Sequence, residues 1–126
     1  LTRLREYVDK RHAIAEIYDQ GFSEINIQKP FRDPSNKSAM HLYVVLVNPE
    51  KHNRIFHSLR KKNIGVNLHY IPVHTQPYYQ KFGFGWGDFP NSEIYYKKAI
   101  SLPMFPSLKE DEQRYVIDTV NSLCND

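Results

Sequence analysis

At 126 residues, with 40% hydrophobic and 25% charged, the chain has room for one modest domain with a core, which excludes two domains and wholesale disorder. A formal net charge of +3 is too small to point to nucleic acid, and one cysteine, Cys124, excludes a disulfide framework and favours a reducing, cytoplasmic setting. No apolar run reaches the roughly 18 residues of a membrane span.

Residues 1 to about 19 read as a helix. Leu1, Leu4, Val8 and Ala15 share one stripe, and Tyr7, Ile14, Ile17 and Tyr18 widen it. Gly21 is a plausible stop. The stripe is wide for an end helix, as if it packs on more than one small domain offers, and the opening Leu1 hints at a piece of a longer protein. Phe22–Ile27 suits a short strand, and Pro30, Pro34, Ser35 and Asn36 mark a polar turn.

His41–Val47 is the clearest strand, β-branched and aromatic on both faces. Asn48 then caps a helix with Pro49 at its first position. Ile55, Phe56 and Leu59 form its buried face, Lys51, Arg54, Arg60, Lys61 and Lys62 coat the rest, and it ends near Asn63-Ile64-Gly65. Val66–Ile71 reads as a second strand. The segment from Gly65 to Leu108 is otherwise rich in aromatics, glycines and prolines, too long and costly to order for a mere connector. Within it, Pro90–Ile100 suits a short helix carrying Ile94, Tyr95 and Ala99, and Ser101–Met104 a brief strand. Ser107 with Glu110 makes a capping box for a last helix whose inner stripe is Val116, Val120 and Leu123. The fold class is α+β, a small mainly antiparallel sheet covered by helices.

His69 and His74 are the first chemical candidates. Zinc asks for three or four ligands, yet the nearby carboxylate is only Asp88 and the thiol is remote, so no metal is assigned. The two histidines with Tyr70 read better as polar groups at the rim of a sheet, bonding a ligand or a neighbouring chain; a histidine that only pins its own loop is the alternative. The basic helix lacks interleaved aromatics and reads as a solvated face. Gly83-Phe84-Gly85-Trp86-Gly87 lacks the Lys-Ser/Thr of a phosphate loop and reads as a flexible aromatic flap, with Phe84 and Trp86 free to meet a partner or cap a site. No serine or cysteine has a nucleophile context, and nothing in the chain alone completes an active site.

The wording from Gly65 to His74 (Gly-Val-Asn-Leu-His-Tyr-Ile-Pro-Val-His), followed by Tyr78 or Tyr79, Pro90-Asn91-Ser92-Glu93 and Ser101-Leu102-Pro103, resembles the C-terminal domain of the DegT/DnrJ/EryC1/StrS family. The strand His41–Val45 and the basic helix fall where that family has them, so the resemblance covers essentially the whole chain. These are sugar aminotransferases dependent on pyridoxal 5'-phosphate, of the aspartate-aminotransferase fold type. The resemblance implies that residues 1–20 form a linking helix from an N-terminal large domain and 21–126 a C-terminal small domain. It implies that the large domain binds the cofactor and supplies its lysine, so no catalytic lysine is assigned here and this chain alone is expected to be inactive and to bind no cofactor. The implied reaction transfers an amino group from L-glutamate to a 4-keto nucleotide sugar, in cell-surface polysaccharide or nonulosonic acid biosynthesis, by a homodimer without nucleic-acid or membrane partners. By motif position the substrate-binding residues are His69, Tyr70, Pro72 and His74, acting by hydrogen bonding and shape. Leu102 and Pro103 would hold the loop. Two alternatives stay open: a sugar dehydratase of the same superfamily using pyridoxal or pyridoxamine phosphate, and a non-catalytic α+β binding or dimerisation module.

Overall fold

The computed structural model describes residues 2–125, so Leu1, counted in the first stripe, lies outside it. The chain runs α1 (Leu4–Gly21), β1 (Tyr43–Leu46), α2 (Pro49–Lys61), a 3-10 turn (Val73–Thr75), α3 (Pro77–Gln80), α4 (Pro90–Lys98), β2 (Ala99–Leu102) and α5 (Glu110–Asn125). The α1 stripe is covered only in part: Ile14, Ala15 and Tyr18 are buried, while Leu4 and Ile17 are exposed and Tyr7 and Val8 are half-buried. Gly21 ends the helix as its sequence suggests, and it also permits close approach. A Cβ there would stand 2.7 Å from Ile117 Cγ2, so α5 can press against the end of α1.

β1 and β2 pair antiparallel, Tyr43 opposite Leu102 and Leu46 opposite Ala99. β1 is shorter than His41–Val47. The Arg11 guanidinium donates to the carbonyls of Met40 (3.1 Å) and His41 (3.0 Å), and Met40 adopts a left-handed φ of 48°. β2 begins two residues before the expected Ser101, and α4 stops at Lys98 instead of reaching Ile100. Pro103 has no N–H to continue the ladder, so the strand must lie before it. Phe22–Ile27 forms no strand; Gln28 instead bridges Leu46. Nor is Val66–Ile71 a strand. Asn67 alone bridges Ser101, and the next donor, Leu68 N–H, turns to Asn67 Oδ1 at 2.9 Å.

α2 starts as expected, with Asn48 Oδ1 accepting the Glu50 N–H at 2.9 Å. It stops through Asn63 in the left-handed region (φ 58°), with Ile64 N–H returning to Leu59 O, so Gly65 is not the terminator. Ile55 and Leu59 are buried and Phe56 partly so. Two of the five cations coating this helix are not simply solvated. Lys51 Nζ reaches Cys124 O (3.4 Å) and Arg54 reaches Leu123 O (2.9 Å), meeting the orphan carbonyls and negative dipole end of α5.

α5 is capped two residues later than expected, and by half of a capping box, because the Lys109 side chain has no acceptor for the Glu112 N–H. The Lys109 carbonyl takes the first helical bond from Gln113, and Glu112 Oε2 accepts the Lys109 N–H at 3.1 Å, so Ser107 and Glu110 are not the pair. Val116, Val120 and Leu123 are buried as expected, with Ile117 beside them. One core gathers side chains from α1, both strands, α2 and α5. Its centre is aromatic: the Tyr18 ring lies 5.6 Å from Phe22 and 4.8 Å from Tyr43.

Candidate functional site

The segment from Gly65 to Leu108 is built around short helices and a strand, and it separates into an outer rim and an inner clamp. On the rim, the Asn67–Ser101 bridge sets Ser101 against His69, whose Nδ1 shares a hydrogen bond with Ser101 Oγ at 2.8 Å. Asn67 Nδ2 lies 3.4 Å from the other ring nitrogen, Nε2. Tyr70 follows across a cis peptide, its ring edge-on to His69 with centroids 4.6 Å apart, and it is 73% exposed. His69 is thus held in one orientation beside an outward phenol. Such a pair can hydrogen-bond a ligand, and nothing around it is arranged for proton abstraction.

The other two predicted residues face inward. Pro72 is buried and its carbonyl accepts from Thr75 N–H (3.0 Å) and Thr75 Oγ1 (2.7 Å), which closes the 3-10 turn. That turn carries His74 into the loop's interior, where Nε2 meets Glu93 Oε1 at 3.0 Å. The same oxygen accepts the Gly87 N–H (2.7 Å) and the Phe89 N–H (3.4 Å). The His74 ring lies 4.8 Å from that of Phe89 and 6.5 Å from Trp86. His69 and His74 therefore engage different partners: Ser101 for one and Glu93 for the other. On α4 the buried residue is Glu93, whereas Ile94 and Tyr95, the apolar residues assigned to it, are exposed.

Glu93 and Ser101 are the residues that sequence reasoning quoted as wording without assigning them a role. His74 and Glu93 lie 19 positions apart, and a glutamate in a short helix gives no local sign of burial. Burial pushes the Glu93 carboxyl up, but the Gly87 N–H, the His74 ring and the Phe89 N–H together hold it below its ordinary 4.5. A carboxylate held below its unfolded value stabilises the fold above that value and loses the contribution as pH falls through the lower, folded one. The loop is therefore expected to keep its order from neutrality to about pH 4.5 and to loosen below it. Emission from Trp86, the chain's one tryptophan, would follow the release. A transition already complete between about pH 6 and 5 would contradict this assignment, because a histidine would then govern it.

Outside the clamp, Phe84, Trp86 and Phe89 are all partly exposed, and Val73, His74, Tyr79, Phe84, Phe89 and Ser92 line an apolar groove of about 370 Å³. The glycines allow this path: Gly83 and Gly87 take φ of 89° and 101°, which a side chain would resist. Among the described residues, no group of three or more histidines, cysteines and carboxylates converges in the manner of a metal site.

Comparison with known proteins gives concordant matches. The model of the DegT/DnrJ/EryC1/StrS aminotransferase family matches residues 1–121. The spore coat polysaccharide biosynthesis protein SpsC of Bacillus subtilis is 38% identical over 130 residues, covering 98% of this chain and 33% of that protein. A UDP-4-amino-4,6-dideoxy-N-acetyl-beta-L-altrosamine transaminase of Campylobacter jejuni is 30% identical, covering 98% of this chain and 34% of its own length. Among solved structures, the apo-form of Spr1654 from Streptococcus pneumoniae, a proposed sugar aminotransferase, superposes with a TM-score of 0.92 at 28% identity, over 99% of this chain and 32% of that one. Its PMP- and PLP-forms give 0.91. The chain spans about a third of the length of the curated relatives it matches.

Proposed function

Because the chain belongs to the DegT/DnrJ/EryC1/StrS aminotransferase family, we propose that it is the small-domain part of a sugar aminotransferase dependent on pyridoxal phosphate. The whole enzyme would move an amino group from L-glutamate to a 4-keto nucleotide sugar. The observation that carries this reading is the family match across residues 1–121. In it, residues 1–20 link to a large domain and 21–126 form the small one. The uncovered Leu4 and the half-buried Tyr7 and Val8 on α1 support that arrangement, since they give a second domain an apolar face to pack on. Among the described residues no helix is long and apolar enough to cross a membrane. In the same reading the whole enzyme is a cytoplasmic homodimer. The name of SpsC, a spore coat polysaccharide biosynthesis protein, favours cell-surface polysaccharide biosynthesis as the setting, and nonulosonic acid biosynthesis is the other setting of this reading.

Pyridoxal phosphate needs an amine for its aldehyde and donors for its phosphate. The aromatic groove has neither lysine nor arginine in its lining. The groove beside α1 includes Arg3, Lys10 and Arg11, but Arg3 and Lys10 both pair with Glu6 (3.8 and 2.7 Å) and Arg11 is bound to three backbone carbonyls. A further groove includes Arg32 and Lys37, which pair with Asp19 and Asp9. The residues of this chain do not fit the cofactor by themselves, and in this reading the large domain holds it. When bound, the cofactor supplies the carbanion chemistry. This chain supplies recognition: His69 and Tyr70 bond the nucleotide sugar, while Pro72 and His74 set the shape of the loop behind them.

The test uses the full-length subunit with L-glutamate and a panel of 4-keto nucleotide sugars. His69→Ala and Tyr70→Phe should each raise the KM for the sugar about three- to tenfold, the worth of one hydrogen bond. Cofactor absorbance should be retained. Equal loss of cofactor and sugar use would make these residues structural, and a wild-type subunit that aminates none of the panel would refute the reading.

A further inference from the structure

We infer that Glu93 is a positioning residue of the nucleotide-sugar site, acting from inside the loop through His74 and the Gly87 and Phe89 amides. This rests on the aminotransferase reading. Burying a carboxylate is costly unless every contact it makes is a good one. Here the side chain is 9% exposed, and a single oxygen, Oε1, collects three contacts from two stretches distant in sequence: His74 of the 3-10 turn, and the Gly87 and Phe89 amides of the loop that leads into α4. The residue's own backbone closes the knot, its N–H donating to Phe89 O at 3.1 Å.

What this knot organises lies outside it. His74 is the middle residue of the 3-10 turn Val73–Thr75, which is capped by buried Pro72, two residues after Tyr70, so fixing His74 fixes the stem on which Tyr70 stands. Gly87 sits inside the Gly85–Asp88 turn that presents Trp86, 55% exposed, and Phe89, itself 47% exposed, follows that turn. These aromatics are not packed into the core, so hydrophobic burial does not hold them in place. The buried charge does. A charge-assisted bond inside a low-dielectric loop confers order that exposed apolar residues cannot obtain from one another. Glu93 touches no reacting atom, and its effect falls on how well the rim is preset for the sugar.

The experiment compares Glu93→Ala and Glu93→Gln with wild type in the full-length subunit, with rates expressed per cofactor-loaded subunit. Glu93→Ala should raise the KM for the nucleotide sugar about tenfold, with kcat and the glutamate half-reaction within about twofold of wild type. Glu93→Gln keeps an acceptor for the two amides and should raise KM only about threefold. In a Tyr70→Phe background the Glu93→Ala effect should shrink, because both act on one rim. An unmoved KM in both variants, equal losses in the glutamate half-reaction, or full additivity with Tyr70→Phe would each overturn the inference. Should Glu93→Ala not fold, the Glu93→Gln shift and its additivity decide alone. A wild-type subunit that aminates no nucleotide sugar sinks the functional reading and the inference together, whereas a working wild type with unmoved variants sinks only the inference.

Discussion

Replacing Tyr18 by alanine is expected to lower the unfolding free energy of the chain by about 3–5 kcal/mol, the range for losing a large buried aromatic. Tyr18 has no exposed surface, stacks on Phe22 with rings 7° from parallel, and meets Tyr43 at 4.8 Å. Its hydroxyl donates to Pro103 O at 2.9 Å, so one side chain ties α1 to the residue that ends β2. Burial pushes its phenol well above the ordinary value of 10, so the group remains a neutral donor across the working pH range. Tyr18→Phe removes only the hydroxyl and should cost about 1 kcal/mol. Urea titration followed by circular dichroism separates the two. A Tyr18→Ala loss no larger than that of Tyr18→Phe would mean that the ring is not the centre of the core.

Replacing Arg11 by methionine is expected to cost about 2–3 kcal/mol while keeping most of the side-chain stem. Its terminal Nη1 donates to Met40 O, His41 O and Met104 O at 3.1, 3.0 and 2.9 Å. These carbonyls flank the start of β1 and the exit from β2, where the backbone has no ladder partner, and Met40 holds a positive φ. All three contacts come from one nitrogen, so Arg11→Lys, whose ammonium carries three N–H donors, should recover part of the loss. Amide hydrogen exchange over Tyr43–Leu46 provides a local measurement. Exchange that stays as slow in Arg11→Met as in wild type would show that β1 does not depend on this contact.

Helices with long apolar periodicity were legible in the chain. α1, α2 and α5 all lie where their stripes put them, and Asn48 caps α2 as its type and the following proline suggest. Strand limits were less legible, because long-range contacts decide them. Val66–Ile71 alternates like a strand, yet it has only one bridge before the Asn67 side chain diverts the next amide. The end of β2 at Leu102, short of the expected Met104, could have been found from Pro103 alone. At the candidate site, the polar residues at 69, 70 and 74 stood out by type. The inward turn of His74 did not, because it depends on a glutamate 19 positions away, and no periodicity encodes that distance. The apparently irregular segment was misleading for the same reason: its middle part is held by contacts distant in sequence, Glu93 with His74 among them, and not by a repeating pattern.

The two single bridges beside the sheet have a consequence for how the molecule behaves in a crowded solution. A two-stranded ribbon is all edge, and an open edge is a template on which another chain can polymerise. On β1 the outward-bonding Leu46 is already taken by Gln28, in both directions at 3.0 and 2.9 Å, and on β2 the outward-bonding Ser101 is taken by Asn67. Each bridge stops after one residue pair, so neither flanking segment becomes a strand that would merely move the open edge outward. Two short stitches cut the open edge of β1 back to the neighbourhood of Val44, too short to template a strand, and one of them also seats Ser101 against His69.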